Sequence, residues 1–203
     1  MTGYGIVNLK ELVEQVGESR AKEILSNFSC PYNKDVEYFL NSKAIEFSKQ
    51  GIAQTQLVFA SFQNELVLVG YFTLALKEIV VSRKASLSSR WRQRIRRFST
   101  YSNLDNSYHV PAPLIGQLGK NFKNEYNKLI SGDELLKIAL DKVQQTQRIL
   151  GGKFVYLECE DKPSLVEFYE TNGFVKFGNR NLEREEMDRQ SGQYLVQMLK
   201  FLE

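Results

Sequence analysis

The chain has 203 residues, of which 42% are apolar, and a formal net charge of +3. This length and apolar content suffice for one compact domain with a hydrophobic core, which excludes wholesale disorder. The two cysteines, Cys30 and Cys159, are far apart and have no second thiol at metal-site spacing. A disulfide framework or a zinc site therefore has little support, and we expect no metal.

The N-terminal segment, Met1 to Lys10, lacks the basic region and apolar run of a secretory signal. No stretch approaches the roughly eighteen apolar residues of a membrane span. These features predict a cytoplasmic protein without a membrane partner.

The first half of the chain shows helical periodicity followed by strand-like runs. Apolar spacing predicts one or two short helices between Asn8 and Ser26, and another helix from Lys34 to Lys49 that ends at Gly51. Two runs rich in β-branched and aromatic residues follow, and three polar residues separate them. We predict an antiparallel hairpin of Gln56 to Phe62 and Leu66 to Leu76.

A basic stretch interrupts this pattern. Seven Lys or Arg residues and no acidic residue lie between Ile79 and Leu104, so the rest of the chain carries −4, because +3 minus +7 is −4. We interpret residues 82–108 as a basic insertion in a single domain that spans residues 1–203.

The second half alternates between strands and helices. Gly151-Gly152, Pro163 and Asn172-Gly173 mark the helix boundaries. The predicted elements are a strand at Val110 to Leu118, a helix at Asp133 to Gln147, a strand at Lys153 to Glu158, a helix at Pro163 to Thr171, and strands at Phe174 to Phe177 and Tyr194 to Phe201.

The loop from Lys120 to Gly132 precedes a predicted helix and carries three lysines. Free backbone N–H groups and the positive end of a helix dipole suit a pyrophosphate such as that of coenzyme A. A solvated lysine-rich loop is the alternative interpretation.

The segment from Asp161 to Phe174, with its phrase F-Y-E-x-x-G-F, resembles the helix that closes the coenzyme site of GNAT acetyltransferases. The resemblance implies that Tyr169 is the general acid, which protonates the departing thiolate of coenzyme A. The alternative is that Phe168, Tyr169 and Phe174 are core aromatics.

A second segment resembles the phosphate-binding motif of the same family. Gly132 and the paired leucines that follow fit that motif, whereas Asn127 replaces Gln or Arg and Ile130 replaces a glycine. An isoleucine at this position would either distort the loop or leave fewer amides to bind the coenzyme. The strand before the loop would pair with the pantetheine arm. The implied acetyl-CoA site consists of Leu118, Gly119, Lys120, Asn127, Lys128, Leu129, Ile130, Ser131, Gly132 and Asp133.

The N-terminal half is similar to a GNAT branch that includes toxins acetylating aminoacyl-tRNA. Phe28-Ser29-Cys30 and the run from Val69 to Ala75, V-G-Y-F-T-L-A, carry this similarity. Cys30 itself is interpreted as a small buried hydrophobe, because no positioned histidine is implied.

The resemblance implies an α/β fold with a GNAT-like, mixed and mainly antiparallel sheet flanked by helices. It also implies direct acetyl transfer from acetyl-CoA to a primary amine of a small molecule or protein. A toxin-type enzyme acting on aminoacyl-tRNA and a non-catalytic binding module are the alternatives. A homodimer is left open.

The acceptor and the general base are less defined. Arginines interleaved with aromatic residues from Arg83 to Arg97 suit an RNA partner, although an acidic protein or no ligand at all are alternatives. Glu158 and Glu160 are candidate bases and equally candidate surface carboxylates. His109, the only histidine, lies beside two prolines and is interpreted as structural.

Overall fold

The computed structural model describes residues 3–184, 186–190 and 192–203. Glu185, in the charged loop before the last strand, lies outside the described residues. The described helices are α1 (Leu9–Val16), α2 (Glu18–Leu25), α3 (Lys34–Ser42), α4 (Ala44–Gln50), α5 (Ser89–Arg97), a 3-10 helix (Lys123–Leu129), α6 (Gly132–Leu150) and α7 (Pro163–Thr171). None of these helices is long and apolar enough to cross a membrane.

The strands form one sheet in the order β1-β2-β3-β5-β6-β8-β7, and β4 pairs with β5. Strands β5 and β6 pair in parallel, whereas the pairs β1–β2, β2–β3, β4–β5, β6–β8 and β7–β8 are antiparallel. The predicted α/β fold with a mixed, mainly antiparallel sheet is therefore confirmed. The strands are β1 (Gly5–Asn8), β2 (Gln54–Phe62), β3 (Glu65–Ser82), β4 (Thr100–Ser102), β5 (Ser107–Lys120), β6 (Phe154–Glu160), β7 (Val175–Asn181) and β8 (Tyr194–Phe201).

The chain divides into two compact units. The first unit comprises residues 1–75 and 116–140, and the second comprises residues 76–115 and 141–203. Strands β3 and β5 and helix α6 each contribute residues to both units.

The first unit packs α1 to α4 and the β1-β2-β3 ladder around an apolar core. Tyr71, fully buried on β3, donates its hydroxyl hydrogen to the carbonyl oxygen of Val36 at 2.5 Å, and its ring contacts Phe28 edge to face. Burial raises the pKa of the Tyr71 phenol well above its ordinary value. The phenol is therefore a fixed donor that ties α3 to the sheet.

The β2–β3 hairpin is present as predicted, but its turn is one residue shorter than expected, because Glu65 already belongs to β3 and pairs with Phe62. Gln63 and Asn64 both adopt positive φ, at 49° and 65°, as a two-residue turn of right-twisted strands requires. The register runs from Phe62 opposite Glu65 to Gln54 opposite Leu74, with an irregularity at Val58 and Phe59. The strand β3 extends to Ser82, beyond the predicted end at Leu76.

Two local features of the first unit differ from the sequence-based prediction. The helix expected from Lys34 to Lys49 is two helices, because Lys43 leaves the helical conformation at φ −121° and ψ −29°. The short strand β1 precedes α1 and was not predicted. Gly51 ends α4 in the left-handed region, at φ 73°, as expected.

The second unit has its own core, formed by β3, β5, β6, β7, β8 and α5. Phe154 on β6 is buried, and its ring lies 5.3 Å from that of Phe201 and 6.3 Å from that of Phe98. These aromatic contacts attach the basic stretch to the strands, since Phe98 directly follows α5.

The basic stretch is folded as helix α5 and strand β4. Trp91, Arg94, Ile95 and Phe98 follow helical spacing and face the core, where Ile95 is 2% exposed. The Arg94 guanidinium lies 4.2 Å from the centroid of the Phe201 ring. One of the arginines therefore belongs to the packing of the unit, a role that the charge pattern alone did not indicate.

Candidate functional site

Helix α7 carries the predicted catalytic tyrosine and has well-defined ends. Pro163 occupies the first turn, where its missing N–H costs no helical hydrogen bond. At the other end, Gly173 has φ 82° and donates its N–H to the carbonyl oxygen of Glu170. The N–H of Phe174 donates to the carbonyl oxygen of Tyr169. This pair of bonds is a Schellman motif, which explains the N-G-F ending of the sequence phrase.

Tyr169 is 7% exposed and is held by aromatic rings on both sides. The ring of Phe168 lies 5.0 Å away and that of Phe174 lies 5.8 Å away, both in edge-to-face geometry. Among the described residues, the Tyr169 hydroxyl has no hydrogen-bond partner. Burial, and then the nearby Cys159 thiol, raise the pKa of Tyr169 above its ordinary value, so the phenol stays protonated at neutral pH.

The loop before α6 contains the three lysines expected to bind phosphate, and each one has a partner within the protein. Lys120 donates to the carbonyl oxygen of Asn127 at 3.0 Å, and Lys123 donates to the side-chain oxygen of Asn27 at 2.9 Å. Lys128 pairs with Glu125 at 2.5 Å on the exposed surface. An incoming anion would share or replace these bonds.

The N-terminus of α6 has a capping box. Ser131 accepts from the N–H of Glu134 at 3.1 Å, and the Glu134 carboxylate accepts from the Ser131 N–H and hydroxyl, both at 2.8 Å. These two hydrogen bonds lower the pKa of Glu134, and the bond from the Ser131 N–H has the larger effect. The spacing S-x-x-E in the sequence would have revealed this box.

The N–H of Gly132 precedes the first intrahelical bond, which runs from Leu135 to Ser131. The helix start thus presents the Gly132 N–H and the positive end of the dipole, which are groups of the kind that bind phosphate. The Glu134 carboxylate occupies part of the same helix end and opposes an anion there.

Ile130, which stands where the family motif has a glycine, is 2% exposed. Its extended backbone, at φ −145° and ψ 135°, is open to any residue, so the side chain is accommodated without backbone strain. Next to it, the carbonyl oxygen of Leu129 accepts a hydrogen bond from the Tyr4 hydroxyl at 3.0 Å. Packing therefore fixes these two loop positions within the first unit.

The end of β5 is fixed by close packing. A Cβ added at Gly119 would lie 2.4 Å from Cγ1 of Val36, and one added at Gly70 would lie 2.9 Å from the Gly119 carbonyl oxygen. Gly119 thus permits the approach of α3 to the strand. Its neighbours Leu118 and Lys120 are half-buried.

Asn121, which sequence reasoning missed, connects this strand end to three other segments. Its side-chain oxygen accepts from the N–H of Ser29 and of Lys123, each at 3.0 Å. Its amide donates to the carbonyl oxygens of Asn27 at 2.7 Å and Leu68 at 2.8 Å. The side chain is 0% exposed, so these four bonds position the start of the loop.

Both candidate general bases are engaged in ion pairs. Glu158 accepts from Arg180 at 2.6 Å and from Gln197 at 2.9 Å. Arg180 also makes a bidentate contact with Glu186. Glu160 is 6% exposed and lies 2.6 Å from the Lys162 ammonium. An acceptor amine would have to displace a partner to reach either carboxylate, so neither residue is favoured as the base.

His109 lies between two carboxylates. Its Nδ1 is 2.9 Å from Glu78 and its Nε2 is 2.9 Å from Asp105. The hydrogen bond with Glu78, and then that with Asp105, raise the pKa of His109. The imidazolium form therefore ties β3 to the β4–β5 turn, which supports a structural role.

Replacing His109 with Gln is expected to lower the melting temperature more at about pH 5.5 than at about pH 9. The folded-state pKa is raised, so the stabilisation is fully present below the ordinary histidine value of about 6.5 and is lost as the pH rises through the folded value. Thermal unfolding of both proteins at the two pH values checks this. An equal loss at both would contradict the ion pairs.

No group of His, Cys, Asp and Glu side chains in the described ranges is arranged to hold a metal ion. Cys30 and Cys159 are both buried free thiols. Burial raises the pKa of the Cys159 thiol to about 12 and also raises that of Cys30. Both thiols are poor nucleophiles at neutral pH.

The sheet, with β5 and β6 parallel and with α7 following β6, agrees with the GNAT-like fold that the sequence resemblance implied. No protein-family model matches the sequence, and no curated protein sequence matches it.

Solved structures with a similar fold include the AtaT toxin and a further protein described as a bacterial toxin. A KacT variant with a tyrosine replaced by phenylalanine is similar at 14% identity with a TM-score of 0.62, covering 95% of this chain and 93% of that one. AtaT complexed with acetyl-methionyl-tRNAfMet is similar at 16% identity with a TM-score of 0.61, covering 96% and 94%. AtaTR bound with acetyl-CoA has 16% identity and a TM-score of 0.52, covering 97% and 93%.

Proposed function

We propose that this chain is an acetyl-CoA-dependent N-acetyltransferase and that its acceptor is the amino group of an aminoacyl-tRNA. The observation that carries the proposal is the Tyr169 phenol. It is held by Phe168 and Phe174 at the C-terminal end of α7, it stays protonated, and its hydroxyl has no bond to the described residues. A protonated phenol with an uncommitted hydroxyl suits proton donation to a thiolate.

The reaction is a direct transfer in a ternary complex. The lone pair of the acceptor amine attacks the thioester carbon, a C–N bond forms, and the C–S bond breaks with its electrons on sulfur. Tyr169 donates its proton to that sulfur, and the phenolate regains a proton from water. The acceptor nitrogen loses its extra proton to water, because Glu158 and Glu160 are already paired.

Acetyl-CoA would be held by the loop and helix start of the first unit. The Gly132 N–H and the dipole of α6 suit its diphosphate. Lys120 would add a charge by exchanging its bond with the Asn127 carbonyl for one with phosphate. The buried Ile130 and the Glu134 cap leave fewer amides than a glycine-rich loop, so we expect weak binding of the coenzyme.

The aminoacyl-tRNA acceptor is favoured over a small amine by charge and by similarity. AtaT, at 16% identity, was solved complexed with acetyl-methionyl-tRNAfMet. In this chain the stretch from Arg83 to Arg97 carries exposed cations such as Arg83 and Arg96, and it includes no acidic residue. Phosphate contacts from clustered arginines supply most of the affinity for a nucleic-acid strand.

The test is acetylation of charged tRNA by the purified chain. The protein is incubated with acetyl-CoA and a mixture of aminoacyl-tRNAs, and the released aminoacyl groups are identified by mass spectrometry. We expect an N-acetylated amino acid on at least one tRNA and much slower acetylation of free amino acids and of a lysine-containing protein. Acetyl-CoA binding without transfer to any amine would instead identify a non-catalytic module.

A further inference from the structure

The second unit contains a cavity that the proposed transfer reaction does not use. It has a volume of about 540 Å³ and lies between α5, the end of β3 and the β4–β5 pair. This volume is within the range of small-ligand sites in proteins. Its lining includes Arg83, Arg92, Arg96, Ser99, Tyr101 and Tyr108 and contains no carboxylate.

The arginines of α5 separate by helical position. Arg94 points to the core with Trp91 and Ile95, whereas Arg92 and Arg96, one turn apart, line the cavity. The Arg92 side chain is fixed by bonds to the carbonyl oxygens of Leu87 at 3.0 Å and Ala85 at 3.4 Å. One cation is thus positioned in advance at the cavity wall.

Two further cations at the cavity are uncommitted. Within the described part of the chain, the guanidinium groups of Arg83 and Arg96 have no hydrogen-bond or ion-pair partner. Three guanidinium groups around one cavity, with no carboxylate in its lining, suit a phosphate, which arginine binds in a bidentate manner.

The opposite wall offers aromatic and hydroxyl groups. Tyr101 and Tyr108 are directly paired across β4 and β5, with ring centroids 5.1 Å apart. The Tyr101 hydroxyl donates to Asn106 at 2.5 Å, which fixes the position of the ring. Tyrosine faces of this kind stack on unpaired bases.

Ser99 adds an unsatisfied polar group to the same lining. Its hydroxyl oxygen is buried and has no hydrogen-bond partner among the described residues. A buried hydroxyl without a partner costs free energy, and a polar ligand in the cavity would satisfy it.

We propose that this cavity binds a nucleoside monophosphate unit. Arg83, Arg92 and Arg96 hold its phosphate, and Tyr101 or Tyr108 stacks on its base. The unit is a nucleotide of an RNA strand or a free nucleotide, and only the first source rests on the proposed tRNA acceptor. A nucleotide bound in this cavity is not the amine that receives the acetyl group. The cavity therefore serves to recognise a nucleotide and takes no part in the transfer step.

The test measures binding to the full chain without acetyl-CoA. Titration calorimetry compares the four nucleoside 5′-monophosphates, the matching nucleosides, inorganic phosphate and a single-stranded RNA tetranucleotide. We expect at least one monophosphate to bind at least tenfold more tightly than its nucleoside and than phosphate. Tighter binding of the tetranucleotide than of the monophosphates assigns the site to RNA, and the reverse assigns it to free nucleotides.

Paired variants locate the binding. Arg83→Gln with Arg96→Gln is expected to weaken monophosphate binding at least tenfold. The control variant, Lys84→Gln with Arg90→Gln, also removes two positive charges, one from the turn after β3 and one from α5, but neither residue lines the cavity. This variant should keep monophosphate binding. Circular dichroism checks that each variant is folded. Acetylation of tRNA is measured in a separate assay, so the nucleotide-binding proposal and the acetyltransferase proposal can fail independently. Equal binding by both double variants, or tighter binding of a polyaspartate peptide than of the tetranucleotide, would overturn the inference.

Discussion

Replacing Tyr169 with Phe is expected to lower kcat for acetyl transfer by about 10²- to 10³-fold, the usual contribution of a positioned general acid. The ring packing against Phe168 and Phe174 is kept, since only the hydroxyl is removed. The hydroxyl has no bond within the described residues, so its loss leaves no buried partner unsatisfied. Stability and the KM for acetyl-CoA should therefore change little.

The measurement is steady-state release of free coenzyme A thiol, with thermal unfolding in parallel. Tyr156→Phe is the matched control, because Tyr156 is also buried in the second unit and its burial likewise raises its pKa. The control should keep kcat. If Tyr169→Phe has wild-type kcat, the proton comes from another source and the catalytic assignment is wrong.

The raised pKa of Tyr169 also fixes the expected pH profile. A raised phenol pKa keeps the donor protonated through the neutral range and into mildly alkaline solution. The kcat of the wild-type enzyme should therefore rise as the acceptor ammonium deprotonates, without a fall near the ordinary tyrosine value of about 10. A fall there would mean that the phenol is exposed to water during turnover.

The sequence predicted those parts of the fold that have local causes. Helix α7 was predicted with both ends because Pro163 and Asn172-Gly173 define its boundaries within a few residues. The β2–β3 hairpin was predicted because its turn residues lie between two apolar runs. Both patterns are formed by residues close together in the sequence, so a single sequence is enough to predict them.

The basic stretch shows what such patterns miss. Its high charge suggested an excursion, yet Trp91, Ile95 and Phe98 form an apolar stripe that packs on Phe154 and Phe201. These partners lie more than fifty residues away in sequence. The three apolar residues have helical spacing in the sequence. The stretch was nevertheless interpreted as an insertion, because its many arginines outweighed the apolar pattern.

The cofactor residues remain a prediction of the family resemblance. Their local conformations indicate why sequence alone could not settle them. Ile130 is buried and Gly119 is packed against Val36, so both positions are determined by the fold of the first unit irrespective of any ligand. At the start of α6, by contrast, the Gly132 N–H is a first-turn amide of the kind that binds phosphate.

Replacing Asn121 with Ala is expected to lower the free energy of unfolding by about 3 kcal/mol or more. The change leaves two N–H groups and two carbonyl oxygens without their partner in a fully buried position. Urea unfolding followed by circular dichroism measures the loss. Asn179→Ala, at an exposed position of β7, is the control and should change the free energy by less than about 0.5 kcal/mol.

Asn121→Asp separates the two halves of this network. The Asp side chain keeps an acceptor for Ser29 and Lys123, but its second oxygen faces the carbonyl oxygens of Asn27 and Leu68. Burial and these oxygens would raise the carboxyl pKa in the folded state, so the destabilisation grows as the pH rises above about 4, where the unfolded chain ionises. The variant should be closer to wild type at about pH 4 than at about pH 7, whereas Asn121→Ala should show no such difference. A loss from Asn121→Asp that does not depend on pH would mean that the new carboxyl group has no raised pKa, and that it does not face the carbonyl oxygens of Asn27 and Leu68.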